Sequence, residues 1–96
     1  MVGTFIGKPY TEVIEEEYVI REFSETVNES ELIWHRDKAN RQITVLHGEG
    51  WKLQLDNKQP VELMKGKLYD IPKEEYHRLI KGKDNLIIQI WEEKHD

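Results

Sequence analysis

The sequence predicts an all-β protein with a single domain, and three observations support that fold class. The chain has 96 residues, a length typical of one domain built around one hydrophobic core. Its apolar residues occur in short runs separated by turn residues, a pattern typical of strands rather than of long helices. These runs recur at a spacing of roughly 8–12 residues, which indicates a β-sandwich or a small β-barrel.

Seven strands are predicted from residue 31 onward. The third alternates most clearly, with Trp51, Leu53 and Leu55 on one face and polar residues between them. Pro72 is expected to end the fifth strand, because proline has no N–H to donate to a ladder. The predicted strands are ELIWHRD (31–37), RQITVLH (41–47), WKLQLD (51–56), VELMKG (61–66), KLYDIP (67–72), YHRLIKG (76–82) and LIIQIW (86–91).

The stretch YTEVIEEEYVIREFSE (10–25) allows two interpretations. Its apolar residues could line one face of a helix, but EYVIREF (17–23) also alternates, with Val19, Arg21 and Phe23 on one side. We favour a strand over 17–24, since the rest of the chain has the pattern of strands. The chain is therefore predicted to be one domain, 1–96, with an N-terminal strand arm over about 1–25 and a barrel over about 30–91.

Charge and composition argue against several classes of protein. The net charge is −5, and the 14 basic residues form no run, so a nucleic-acid or membrane-surface partner is not expected. The chain has no cysteine, no signal-peptide pattern and no apolar stretch of the ~20 residues that span a bilayer. We expect a cytoplasmic protein. A homodimer is the expected way to cover more apolar area, because so short a chain buries only about 60–70% of its unfolded surface.

Two segments, WHRDKANRQITVLHGEG (34–50) and GKLYDIPKEEYHRLIKG (66–82), resemble the two motifs of the cupin superfamily. The first family motif has His-x-His, three or four residues, Glu, six residues and Gly. His35 and Asp37 take the two histidine positions, Arg41 stands where Glu is expected, and Gly48 follows in register. This resemblance covers about residues 30–90 and implies a jelly-roll β-barrel that often dimerises.

The second cupin motif has Gly, five residues, Pro, x, Gly, two residues and His. Gly66, Pro72 and His77 are in register with it, whereas Glu74 replaces the second glycine. The segment GKPY (7–10), together with the Trp-His pair that opens the first motif, is similar to small cupins of the sugar-phosphate isomerase type.

The matched residues suggest a metal site. His35 and Asp37 are two residues apart, so on a strand both side chains point to the same face. His77 joins them only through the fold that the resemblance implies. Two histidines and one carboxylate resemble the facial triad of non-haem iron sites, and Zn, Mn or Ni are also compatible with these ligands. The alternative, two structural histidines and a buried ion pair without metal, stays open at this point.

Arg41 complicates the prediction of a metal. An arginine ~5 Å from a divalent ion is repelled by about 6–7 kcal/mol at an effective dielectric constant near 20. Either Arg41 binds a substrate carboxylate or phosphate beside the metal, or it pairs with Asp37 in a metal-free pocket. We predict His77 and Arg41 as catalytic residues. The residues predicted to bind ligand are Arg41, Gln54, Tyr69, Tyr76 and Gln89.

Three functions compete at this point. The first is a metal-assisted isomerase or epimerase of a small sugar or hydroxy-carbonyl compound. The second is a metal-free module that binds a small anionic ligand through Arg41. The third is an Fe(II) oxygenase that uses His35, Asp37 and His77. The oxygenases that depend on 2-oxoglutarate usually have an arginine about ten residues after the second histidine, where this chain has Ile87.

Overall fold

The computed structural model describes residues 8–93, which form eight β-strands and one short 3-10 helix. The elements are β1 Thr11–Ile14, β2 Val19–Phe23, the 3-10 helix Glu29–Glu31, β3 Arg41–His47, β4 Lys52–Leu55, β5 Val61–Glu62, β6 Leu68–Ile71, β7 His77–Ile80 and β8 Leu86–Glu92. The predicted all-β fold class is confirmed. No helix in this part of the chain has the length and apolar character needed to cross a membrane.

The strands form two antiparallel sheets. The larger sheet has the order β1-β2-β8-β3-β6, and the smaller has the order β5-β4-β7. Strand β8 pairs with both β2 and β3, so the last strand lies between two elements that are remote from it in sequence. The strand predicted over 17–24 is thereby confirmed as β2, and the helical alternative for 10–25 is wrong.

A hydrophobic core lies between the two sheets. Ile43 and Val45 of β3 lie opposite Ile90 and Ile88 of β8, and all four side chains are buried. Leu53 of β4 contributes from the smaller sheet to the same cluster. Burying an aliphatic side chain of this size contributes about 1.5–3 kcal/mol each, so this cluster is the main source of stability.

Trp51 is the largest buried side chain, and its surroundings explain why residue 82 is a glycine. The ring is fully buried, and its Nε1 donates a hydrogen bond of 2.7 Å to the carbonyl oxygen of Asp84. A Cβ atom on Gly82 would lie 2.4 Å from Trp51 Cδ1 and 2.5 Å from the carbonyl oxygen of Glu49. Only a residue without a side chain fits between the indole and this loop.

The prediction over 31–37 is wrong in its secondary structure. Glu31 ends the 3-10 helix, and the following residues form no ladder apart from an isolated bridge between His35 and His77. Strand β3, by contrast, has the predicted bounds, 41–47, and β6 ends immediately before Pro72 as expected. The segment GKPY lies partly outside the described residues. The last five residues, EEKHD (92–96), have the composition of a polar tail, and His95 within them lies outside the described residues.

Candidate metal centre

The isolated bridge brings the two predicted histidines together. The backbone N–H of His35 donates to the carbonyl oxygen of His77 at 3.0 Å, and the N–H of His77 donates back at 2.8 Å. Their rings lie edge to face, with centroids 4.3 Å apart and an angle of 61° between the planes. Residues 42 positions apart in sequence thus form a hydrogen-bonded antiparallel pair, whose side chains share one face.

Within the ligand-bearing segment before β3 (residues 32–40), residues 33–37 alternate like a strand although they lack a ladder. Ile33, His35 and Asp37 line the interior cavity. Trp34 faces the other way and stacks on Arg78, whose Cζ atom lies 4.8 Å from the indole centroid. Extended backbone directs successive side chains to opposite faces whether or not its N–H groups are paired, so the predicted common face of residues 35 and 37 is present.

The hydrogen bonds of the two imidazoles leave one nitrogen of each ring open to the site. His35 Nδ1 lies 3.0 Å from the carbonyl oxygen of Ile33, and His77 Nδ1 lies 3.0 Å from the carbonyl oxygen of Glu75. A carbonyl oxygen accepts only, so each Nδ1 carries the proton in a neutral ring and each Nε2 carries a lone pair. A backbone carbonyl that fixes the tautomer in this way is typical of histidines that bind metal.

Asp37 completes the group. Its Oδ2 lies 3.3 Å from His77 Nε2 and its Oδ1 lies 3.3 Å from Arg41 Nη1. Among buried side-chain oxygen and nitrogen atoms of the described residues, Oδ2 is the one that lacks a hydrogen-bond partner. A buried carboxylate oxygen without a partner is costly, and here it faces a lone pair of the imidazole.

Burial lowers the pKa of His77, because the charged imidazolium loses its hydration. The carbonyl of Glu75 and the carboxylate of Asp37 act in the opposite direction, while His35 and Arg41 add to the lowering. The net direction favours neutral His77. Two acceptors, His77 Nε2 and Asp37 Oδ2, then face each other at 3.3 Å, and a cation between them would satisfy both.

The distances fit a divalent metal ion. The ligand atoms of His35, Asp37 and His77 all lie within 4.8 Å of one another. Ligand atoms bound at about 2.1 Å to one ion lie roughly 3.0–3.4 Å apart, so the separation of 3.3 Å between Asp37 and His77 already matches. Two nitrogens and one carboxylate oxygen suit Zn, Fe, Mn or Ni and leave further positions for water or a ligand.

Arg41 lies beside this group and makes two ion pairs. Its Nη1 contacts Asp37 Oδ1, and its Nε donates to Glu92 Oε2 at 2.9 Å. Glu92 is the partner of Arg41 in the β3–β8 ladder, which places the two side chains on the same face. The two carboxylates together balance the guanidinium charge, and Arg41 meets the carboxylate oxygen that faces away from His77.

An interior cavity of about 370 Å³ extends from the two histidines. Its walls are mainly apolar and include Phe23, Ile43, Leu53, Ile88 and Ile90. Charged residues also line it: the cations Lys8, Arg21 and Arg41, and the carboxylates Glu31 and Asp37. Its size and its composition, apolar walls with a few polar groups, are those of small-molecule sites.

Four residues predicted to bind ligand do not line this cavity, which corrects the expectation that they face the interior pocket: Gln54, Tyr69, Tyr76 and Gln89. Gln89 lies between the inward-facing Ile88 and Ile90, so strand alternation directs it to the outer face. The hydroxyl of Tyr69 accepts a hydrogen bond from the backbone of Met64. Their assignment as ligand-binding residues stays a prediction, without support from the cavity.

The sequence analysis did not identify two charged residues near the site, Arg21 and Glu92. Arg21 shared a predicted face with Val19 and Phe23, so a charged side chain on an apolar face was visible in the pattern. Glu92 was assigned to the polar tail, although it extends β8 and pairs with Arg41. No local signal distinguishes it from the acidic residue that follows.

Neither a family model nor a curated protein sequence matches the chain. Solved structures do match. An RmlC-like cupin family protein with a double-stranded β-helix fold, from Methanocaldococcus jannaschii, is 17% identical with a TM-score of 0.66, over 92% of this chain and 83% of that one. KdgF from Halomonas sp. is 18% identical with a TM-score of 0.67, over the same shares of the two chains. Fe(II) HppE is 17% identical with a TM-score of 0.64, over 88% of this chain.

These likenesses establish the fold. The chain has the double-stranded β-helix of the cupins, and the resemblance predicted from the two motifs is confirmed at the level of the fold. The chain spans 48% of the length of HppE and 37% of a chain from crystal structures of DMSP lyases. The activities of those longer proteins are therefore not transferred with the fold.

Proposed function

We propose that this cupin binds one divalent metal ion through His35 Nε2, His77 Nε2 and Asp37 Oδ2, and that a small anionic molecule binds beside the ion in the cavity. Metal binding is the function that the geometry supports best. HppE, a structurally similar protein, is described in its Fe(II) form.

One observation carries the proposal. The buried Asp37 Oδ2 has no hydrogen-bond partner in the described part of the chain, and it faces an imidazole nitrogen whose proton lies on the other side of the ring. A cation is the partner that this pair of acceptors lacks. Three protein ligands that leave open coordination positions are also typical of catalytic rather than structural metal sites.

The reaction that we assign is isomerisation or epimerisation of a small hydroxy-carbonyl compound. The metal, when bound, would polarise a carbonyl or hydroxyl oxygen of the ligand. Both histidines are used as ligands in this assignment, so His77 no longer carries the proton as the sequence analysis suggested. Glu31, the carboxylate of the cavity lining outside the metal group, is the residue that we assign to accept it.

A metal-free ligand-binding module is the second candidate, and the ion pair between Asp37 and Arg41 favours it. In that case the guanidinium alone would neutralise Asp37. The arrangement of the carboxylate argues for the metal, because Arg41 meets Oδ1 whereas Oδ2 is the atom directed at His77. The 2-oxoglutarate-dependent alternative loses support, since Ile87, at the position of the expected arginine, does not line the cavity.

Metal titration tests the proposal. The protein is first freed of metal with a chelator and then titrated with Co(II), whose absorption spectrum reports the geometry and number of its ligands. We expect about one ion per chain, and we expect His35→Ala to weaken the affinity at least about a hundredfold because it removes one of three protein ligands.

The matched control is His47→Ala, since His47 is an exposed histidine outside the group and its loss should leave the affinity unchanged. Binding of less than about a tenth of an ion per chain would overturn the proposed metal site and favour the metal-free ligand-binding module. Equal losses in the two histidine variants would show that the ion binds somewhere other than the proposed site.

A further inference from the structure

Arg21 is a further cationic residue in the cavity lining, separate from the three proposed metal ligands. It lies on β2, and its pairing with Ile88 turns it toward the interior together with the apolar residues of that face. Only 17% of its side chain is exposed. An arginine among apolar walls is costly unless its charge is paired, and Glu12 supplies one partner for it.

The contacts of Arg21 leave part of its guanidinium available to a ligand. Its Nε donates to Glu12 Oε2 at 2.5 Å, and its Cζ atom lies 4.2 Å from the ring centroid of Tyr10. Glu12 is the ladder partner of Arg21 on β1 and does not line the cavity. Because that hydrogen bond uses Nε, the two Nη groups are the edge that can bind a second anion bidentately.

Arg41, the other arginine that lines the cavity, is less suited to bind the anionic group of a ligand. It is held by two carboxylates through Nε and Nη1, one of them the proposed metal ligand Asp37. An incoming anion would have to compete with both. Arg21 has a single carboxylate partner among the described residues, and it is therefore the better candidate for the anion anchor that the sequence analysis assigned to Arg41.

The ladders separate the backbone of Arg21 from that of Arg41, whose side chain contacts the proposed metal ligand Asp37. On β8, Arg21 pairs with Ile88 and Arg41 pairs with Glu92, and β2 and β3 lie on the two sides of that strand. Four residues along the strands and two strand spacings across them correspond to roughly 16 Å between the two Cα atoms. Ile90 and Ile43, which pair with each other, form the apolar wall between these two positions.

We propose that the ligand is a bipolar small molecule with metal-chelating oxygens at one end, an apolar chain in the middle and a carboxylate or phosphate on Arg21 at the other end. The inference rests on the proposed metal function and adds to it the class of ligand. It makes Arg21 the residue that selects for the distal anion.

Matched probes test this inference in the Co(II)-loaded protein. 2-Hydroxy diacids of five to eight carbons are compared with 2-hydroxy monoacids of the same length, which differ only in having a methyl group in place of the distal carboxylate. Binding is followed by the change in Co(II) absorption. For at least one length, we expect the diacid to bind about tenfold or more tightly than the monoacid.

Two variants of the anchor should shift this ratio in opposite directions. Arg21→Gln should reduce the ratio to about one while leaving the affinities for Co(II) and for the monoacid unchanged. Glu12→Gln removes the competing carboxylate and should raise the ratio several-fold, which keeps the test decisive if the first variant folds poorly. Lys52→Gln is the matched control, since it removes the same charge from an exposed position of β4.

The outcomes separate the two proposals. Co(II) binding with equal affinities for diacid and monoacid at every length would overturn the role of Arg21 and leave the metal site intact. A preference for diacids that survives in Arg21→Gln would place the anion anchor elsewhere and would also overturn the inference. Failure to bind Co(II) would overturn the proposed function, and the ligand class would fall with it.

Discussion

The two sides of the candidate metal centre are built differently. His77 belongs to β7, a strand paired with β4 over four consecutive residues, and its side chain is 3% exposed. His35 and Asp37 belong to the ligand-bearing segment, which is joined to β7 by the pair of hydrogen bonds between the histidines and to the turn before it by one from Glu74 to Asp37. One side is fixed by the core, and the other by a few local contacts.

The contacts that stabilise the fold are therefore partly distinct from the contacts that position the proposed metal ligands. Strand β7 must form for the core to exist, so His77 is positioned as soon as the chain folds. The ligand-bearing segment adds less apolar burial than β7 and its neighbours: Leu32 packs against the core and Ala39 is buried, but Ile33 and Trp34 are 64% and 39% exposed. Regions with few buried contacts open more easily than the core, so the segment should respond to metal more than β7 does.

The largest effect is expected when tryptophan is replaced by alanine, once in the core and once in the ligand-bearing segment. Trp51→Ala removes a fully buried indole and should destabilise the protein by about 3–5 kcal/mol. Trp34→Ala removes a half-exposed indole and its stacking on Arg78, which should cost under about 1 kcal/mol. Urea unfolding of the metal-free variants measures both.

Hydrogen exchange sharpens the same comparison. Trp34→Ala should increase exchange over residues 32–40 and weaken Co(II) binding several-fold, although global stability changes little. A loss of stability equal to that of Trp51→Ala would contradict the division of the site into a core side and a locally held side.

The second prediction concerns the charge at Arg41. Arg41→Glu should strengthen Co(II) binding by about tenfold or more, because it replaces a repelled cation by a carboxylate at the position where the first cupin motif has glutamate. The same substitution should destabilise the metal-free protein, since the introduced carboxylate would face Asp37 and Glu92. Calorimetric titration and urea unfolding measure the two effects.

Arg41→Gln serves as the matched control for that substitution. It removes the cation without adding a ligand, so its affinity for Co(II) should lie between those of the other two proteins. Weaker binding in both variants would mean that orienting Asp37 through its Oδ1 outweighs the repulsion between Arg41 and the ion.

The smallest effect is expected at Glu74, which connects the two sides. Its φ is +63°, the left-handed conformation that glycine adopts cheaply, and the second cupin motif has glycine at this position. Glu74→Gly should stabilise the protein by about 0.5–1 kcal/mol, because the conformational strain exceeds the loss of an exposed contact of 3.4 Å with Arg36. Thermal unfolding measures the change, and Glu75→Gly is the control, expected to be neutral or destabilising.

The sequence predicted the strands of the core because their side chains alternate and their turns carry clear signals, as in β3 and at Pro72. It also predicted that His35 and Asp37 share a face, whereas His77 was added only through the resemblance to the cupin motifs. It failed at residues 31–37, because alternation reports extended backbone, whereas a ladder also needs a neighbouring strand. The ion pair of Arg41 with Glu92 and the inward position of Arg21 depend on the order of strands in the larger sheet, which no local pattern encodes.

The main chains of His35 and His77 are joined by two reciprocal hydrogen bonds. The spacing of the two histidines is therefore a property of the scaffold. Any two side chains at positions 35 and 77 would start from the same Cα separation and point the same way. The donor set is thus exchangeable: thiolates at both positions would present softer ligands to copper(I) or zinc without redesign of the fold. At the proposed metal site, two substitutions would therefore change which metal ion is preferred.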